Sequence, residues 1–251
     1  MSVIDEIMTN DCATWVINKI AALPDRAKFR AYNSVRFIGW ANEIFYRSGL
    51  PVPACFCALH ATEEAVAAFV SSAKESGYGE DAKINLKDHQ AKVTVSLLAQ
   101  KLVNAFQEYG PAVAVDEASN KLVARFTRNG EYMYDTATMH LGHFCNSDDR
   151  MAEDFLDNIV LTFNGNIEKL RGAIFHMQEA RNGIIYADVD GYPSGFDDPE
   201  SLLRREAQIS IGLIWAAIDI YEHKGEVAPL VAQALRTANI IIEGMKSIKQ
   251  R

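Results

Sequence analysis

Cysteine is scarce and unpatterned: Cys12, Cys55, Cys57 and Cys145 are the four in 251 residues, and no two are spaced as a CxxC pair. Cys55 and Cys57 fall in one expected helix, where side chains two apart diverge, so reduced and mostly buried thiols are expected. Long apolar runs are missing too, none approaching the roughly 20 residues that cross a bilayer. The opening MSVIDEIMTNDCATW carries acids and no basic residue, the wrong chemistry for a signal or transit peptide, and a cytoplasmic protein is expected. Positive charge is in deficit. A formal net charge of −8 argues against a broad grip on nucleic acid or anionic lipid and leaves room for a confined basic site only.

Phosphate-binding glycine motifs are also absent. No GxxxxGK(S/T) or GxGxxG loop occurs, and GYPSG lacks the serine placement of a nucleophile elbow, which disfavours P-loop hydrolases and α/β-hydrolases. Di-iron carboxylate bundles need two Glu-x-x-His pairs, and none of the six histidines has a glutamate three residues before it. His140, His143 and Cys145 in MHLGHFC are suitable donor types for a transition metal. With no second cluster to complete a four-ligand site, the stretch is expected to be a loop or strand with incidental histidines, and no metal or cofactor is expected.

What the chain has is helical spacing. DRAKFRAYNSVRFIGWANEIFYRSG places Phe29, Tyr32, Val35, Phe37, Trp40, Ile44 and Phe45 near a helical period, with Pro24 and Asp25 at the start and Gly49 at the end. A second, alanine-rich helix is expected from about Pro53 to Lys74, and NLKDHQAKVTVSLLAQKLVNAFQEYG reads as a third. PAVAVDEASNKLVARFTRNGEYMYD then alternates in short runs, with Asn129-Gly130 as a two-residue hairpin signal, and reads as a small β-hairpin or meander. Helical spacing returns as one long stripe through Phe155, Ile159, Phe163, Ile167, Leu170 and Ile174, which Gly165 and Gly172 can bend. IIYADVDGYPSGF reads as a short extended piece and loop. Two further helices are expected, from Pro199 to about Tyr221 behind an Asp198 cap and from about Val227 to Lys249. The fold class is mainly α: a bundle of about five to six helices over residues 1–251 as one domain, with a small β-hairpin inserted at about 111–138.

The segment CALHATEEAVAAF places His60, Glu63 and Glu64 in an otherwise apolar helix. His60 lies one turn from Glu64 and close to Glu63, so the three can form a polar patch. Buried carboxylates require a cation or several donors, and Arg36, Lys92, Arg171 and Arg181 are the candidate partners from other helices. The bland alternative puts both glutamates at the solvent edge.

The alanine-rich AL-x-x-x-EE segment (Ala58, Leu59, Glu63, Glu64), a downstream His-x-x-Lys (His89, Lys92), and EARNGIIYADVDG with Arg181, Ile185, Tyr186, Ala187 and Asp188 follow one another in order. In that order they resemble the HEPN superfamily of helical domains, and within it abortive infection proteins of AbiV type, over roughly residues 27–109 and 165–223. The resemblance implies a HEPN-like bundle and an antiphage role. Many HEPN proteins are metal-independent endoribonucleases whose dimers juxtapose an Arg-x4–6-His motif, and Arg171-Gly-Ala-Ile-Phe-His176 has that spacing. On this reading Arg171 holds the scissile phosphate, His176 moves a proton and Glu64 orients one of them. His60, Glu63, His89, Lys92, Arg181, Tyr186 and Asp188 form a further candidate polar site. Five positions on a straight helix separate Arg171 and His176 by about 140°, so the pair requires a bend or a homodimer. An ordinary Glu168–Arg171 surface pair is the alternative.

Two functional readings result. One is an RNA-cleaving or translation-inhibiting effector acting as a homodimer on RNA at a confined site. The other is a non-catalytic HEPN-like module that binds a protein partner. A helical protein whose hairpin closes over a small-molecule pocket is a weaker third.

Overall fold

The computed structural model describes residues 1–109, 112–128, 131–185 and 197–249. Among them the chain is mainly helical with one small antiparallel sheet, as the spacing predicts. Helices α1 (Val3–Thr9) and α2 (Asp11–Lys19) lead into α3 (Asp25–Tyr46), α4 (Pro51–Glu75) and α5 (His89–Tyr109). Strands β1 (Ala112–Asp116), β2 (Lys121–Arg128) and β3 (Glu131–Thr136) follow, and then α6 (Leu156–Leu161), α7 (Ile167–Ile185), α8 (Pro199–Glu222) and α9 (Pro229–Lys249).

Helix α4 is the centre. It packs on α3 and α8 over most of its length and touches α5 and α7. Its small residues Ala54, Ala58, Ala61, Ala65 and Ala68 are buried, and their size lets neighbouring backbones approach. Ser72 on α4 donates to the Ala217 carbonyl of α8 at 2.6 Å. By length and apolar composition α4 matches a membrane-crossing helix, yet most of its apolar window is buried inside the protein. Contact with neighbouring helices accounts for its apolarity.

Chain punctuation sets the helix ends. Gly49, at φ 65°, closes α3 by donating to Phe45 while Leu50 donates to Ile44, and Pro51 opens α4 directly afterwards. Asp198 caps α8 by accepting from the Ser201 amide at 3.0 Å.

Three expectations change. The stripe from Phe155 to Ile174 is two helices, because Asn164 and Gly165 both take positive φ (58° and 69°) and Asn166 restarts the chain by accepting from the Glu168 amide at 2.8 Å. Gly172, by contrast, lies inside an unbroken α7. With that break, and with α1 and α2 at the N-terminus, nine α-helices stand among the described residues in place of five to six. The insert takes the meander form of the two expected, three antiparallel strands in the order β1-β2-β3, with Asp116 opposite Lys121 and Arg128 opposite Glu131. Asn129 and Gly130 lie outside the described residues. Leu122 and Ala124 seat the meander on the core, and the Trp15 indole of α2 donates to the Asn120 carbonyl at 2.9 Å. Ile185 is the last residue of α7 and not part of a strand, while Tyr186, Ala187 and Asp188 lie outside the described residues.

Candidate functional site

Glu63 is 5 % exposed, in the middle of α4, and four groups from three helices face it. His89, at the first turn of α5, brings Nδ1 within 3.1 Å of Oε1 and 3.0 Å of Oε2. Lys92, one turn later, donates Nζ to Oε2 at 3.3 Å. Arg181 on α7 donates Nε to Oε1. His60, one turn earlier on α4, has Nδ1 4.0 Å from Oε2. The i, i+3 spacing of His89 and Lys92 is what allows both to reach one carboxylate from a single helix face.

Burial pulls the Glu63 carboxyl up, but the Lys92 and Arg181 charges and His89 outweigh it, so its pKa lies below the ordinary range and the group is ionised. For His60 burial dominates. It pushes the imidazole pKa down, with Glu63 and Glu64 offsetting part of the effect, and the ring is held against Phe37 (centroids 4.4 Å, edge-on) and Phe56 (5.9 Å, stacked). His60 is therefore a neutral wall of the site, and its buried Nδ1 has no hydrogen-bond partner.

A second buried carboxylate adjoins the first. Glu206 of α8 accepts from the Thr62 hydroxyl at 2.6 Å and from Arg205 Nε and Nη2 at 3.0 and 2.8 Å. Between the two acids lies a cleft of about 70 Å³ whose walls include Lys92, Arg181, Arg205 and Met177. Two carboxylates there face one lysine and two arginines, so the cleft carries a surplus positive charge inside a chain that is acidic overall. His89 keeps its side chain 44 % exposed while its Nδ1 is held by Glu63, which leaves Nε2 as the accessible ring atom. With cations already against its carboxylates, this cleft suits an anion and not a metal ion.

Of the four candidate partners for the helix glutamates, Lys92 and Arg181 meet Glu63. Arg36 turns to Asn33 and lies over the Trp40 ring, and Arg171 pairs with Glu168 at 2.5 Å. Glu64 faces the other way, toward Arg30 of α3 at 3.7 Å. Arg171 is half-buried against α9, where its Nη2 lies 2.8 Å from the place a Cβ on Gly244 would take; His176 is exposed beside Phe175. These two side chains of α7 do not share a cleft within one chain. Thr62, Arg205 and Glu206 carried no recognisable sequence signal: only the pairing of α4 with α8 brings them beside Glu63.

No family model, no curated protein and no solved structure matches the chain.

Proposed function

We propose that the protein is a HEPN-type, AbiV-like antiphage effector that cleaves RNA without a metal, with its active centre at Glu63, His89, Lys92 and Arg181. One observation carries the reading: residues from each of the three segments that make the resemblance, Glu63 from the first, His89 and Lys92 from the second and Arg181 from the third, meet at a single buried carboxylate, beside a cationic cleft and an accessible imidazole. In this mechanism Glu63 holds Nδ1–H of His89, so that Nε2 takes the proton of a ribose 2′-hydroxyl. The 2′-oxygen attacks phosphorus, the bond to the 5′-oxygen breaks, and that oxygen takes a proton from solvent, leaving a 2′,3′-cyclic phosphate. Lys92, Arg181 and Arg205 offset the charge that develops on the phosphoryl oxygens. Confinement of the cations to one cleft agrees with the acidic remainder of the chain.

The test is cleavage of total RNA or tRNA by purified protein in chelator, beside His89→Ala and His176→Ala. The expected result is a loss of about 100-fold or more in His89→Ala, the scale of a general base, with His176→Ala close to wild type. Loss in His176→Ala alone would move the centre to Arg171 and His176 at a dimer interface.

The second reading, a non-catalytic interaction module, is favoured by a different observation. On α3, Phe29, Tyr32 and Trp40 are exposed on one face, a surface fit for a protein partner. Under it the Glu63 cluster is an internal anchor, and folded wild-type protein cleaves no RNA.

A further inference from the structure

At the far end of α8 stands a second group of titratable side chains that the Glu63 cleft does not use. Asp219 and His223 are one turn apart, and His140 comes from the short 3-10 turn Met139–Leu141 that follows the meander. Asp219 is 5 % exposed. Its Oδ2 is taken by the Thr138 hydroxyl (3.0 Å) and the Met139 amide (2.8 Å), which seats the 138–141 turn on α8; its Oδ1 has His223 Nδ1 at 3.5 Å. His223 Nδ1 lies 2.8 Å from the Asp219 backbone carbonyl, a contact that requires the ring to donate there and leaves the lone pair on Nε2. The His140 and His223 rings are 5.0 Å apart. His140 Nε2 is buried and has no hydrogen-bond partner, a state that a folded protein rarely leaves uncompensated.

We infer that His140, Asp219 and His223 form a binding site for a divalent transition metal, with zinc the best fit. One donor atom from each residue lies within 4.8 Å of the other two. Tetrahedral zinc at about 2.0–2.1 Å from its ligands spaces them by roughly 3.4 Å, so closing on an ion requires pairs of donors now within 4.8 Å to draw together by up to about 1.4 Å. Two imidazoles and one carboxylate favour zinc, cobalt or iron over magnesium or calcium, which require shells of oxygen. The Asp219 carbonyl on His223 supplies the outer hydrogen bond that orients a ligating histidine, and Thr138 and Met139 do the same for the carboxylate.

Three protein ligands leave a coordination position open. Asp219 and His223 also line a cavity of about 260 Å³ between α2, the meander and α8, whose wall carries Lys19, Lys121 and Glu222 together with Trp15 and Trp215. The open position therefore has room for water or a small anionic ligand. His143 and Cys145, which share the MHLGHFC segment, are exposed and outside the group. The ligands that complete the site come from the last turn of α8 and the residue that caps it, some 80 residues further on, which spacing within the segment does not reveal.

This inference does not rest on the ribonuclease reading, and its test does not use RNA. Protein stripped with a chelator and dialysed is titrated with Co²⁺, followed by visible absorption, and with Zn²⁺ by calorimetry. Expected are ligand-field bands that saturate at one Co²⁺ per chain, displacement by Zn²⁺ and no competition from Mg²⁺. His140→Ala, in a partly exposed turn, should keep the far-ultraviolet spectrum of the wild type and weaken Zn²⁺ binding by about 100-fold or more; Asp219→Asn, which keeps an acceptor for Met139, should do the same. The inference falls if the folded wild type gives no saturable Co²⁺ spectrum or if His140→Ala binds as tightly as the wild type. It also falls if the spectrum shows thiolate bands that Cys145→Ser removes.

Discussion

Replacing Glu63 by glutamine keeps the shape of the side chain and removes its charge. Lys92 and Arg181 have side chains only 8 % and 12 % exposed, and no other carboxylate within salt-bridge distance takes up their charge among the described residues. Removing one partner from a buried pair costs about 3–5 kcal/mol, because the remaining charge stays desolvated. For a chain of this size a loss of about 1 kcal/mol lowers Tm by roughly 2–4 °C, so Glu63→Gln should melt about 6–20 °C below wild type at pH 7. The pH dependence follows from the direction of the Glu63 shift. Its pKa is depressed in the fold, so its contribution is present above the unfolded value of about 4.3 and is lost as pH falls through the lower folded value. The gap between wild type and Glu63→Gln should therefore be widest near neutrality and narrow below about pH 4. Urea denaturation of both proteins between pH 3 and 8 reads it directly. A variant within about 0.5 kcal/mol of wild type at pH 7 would refute the buried-pair argument, since that is the range of unremarkable surface substitutions.

Three further outcomes are expected. Thr62→Val removes the 2.6 Å hydrogen bond to the buried Glu206 carboxylate and should cost about 1.5–3 kcal/mol in urea denaturation, the scale of a hydrogen bond to a charged group. Gly165→Ala should destabilise by about 1–2 kcal/mol, because φ 69° is left-handed and nothing lies within 4 Å of the added Cβ to offset the strain, while Gly172→Ala in the unbroken α7 should be neutral or stabilising by up to about 1 kcal/mol. Burial pushes the Cys55 thiol up to about 11, leaving roughly one thiolate in a thousand at pH 8, so mass spectrometry after brief iodoacetamide treatment should find exposed Cys145 alkylated and Cys55 intact.

Helices α3, α4, α5, α8 and α9 are legible because their apolar spacing and their proline, aspartate and glycine boundaries agree with one another. The break between α6 and α7 is not, because the apolar stripe continues across it: Phe163 and Ile167 keep the period while Asn164 and Gly165 turn the backbone. Composition marks Gly165 as a bend, but a second left-handed residue at Asn164 is what ends the helix. At the site, His89, Lys92 and Arg181 are readable as candidate cations, and burial of an acid in α4 dictates that some cation must come. Which acid they meet is not readable. Glu63 and Glu64 are adjacent in sequence, about 100° apart on the helix, and only the placement of α5 and α7 on one side and α3 on the other assigns Glu63 to the cluster and Glu64 to Arg30. Glu206 and Asp219 sit on the apolar face of α8, where periodicity alone predicts core residues.

The same geometry explains why an alanine-rich central helix tolerates charge. A surface of Ala54, Ala58, Ala61, Ala65 and Ala68 fits neighbouring helices closely but offers few protruding side chains to fix how far each helix slides. Thr62 and Glu63 supply that missing definition. At one level of α4, Thr62 reaches Glu206 and Ser210 on α8 while Glu63 reaches His89, Lys92 and Arg181 on α5 and α7. Sliding any of these helices by one turn, about 5.4 Å, would retain much of the alanine contact yet strand a buried charge. The polar level is thus the point at which four helices are locked in register, and the cationic cleft lies between its two halves. A cleft built there inherits fixed walls, which is the condition an anion-binding or phosphoryl-cleaving centre needs and a loop-built one lacks.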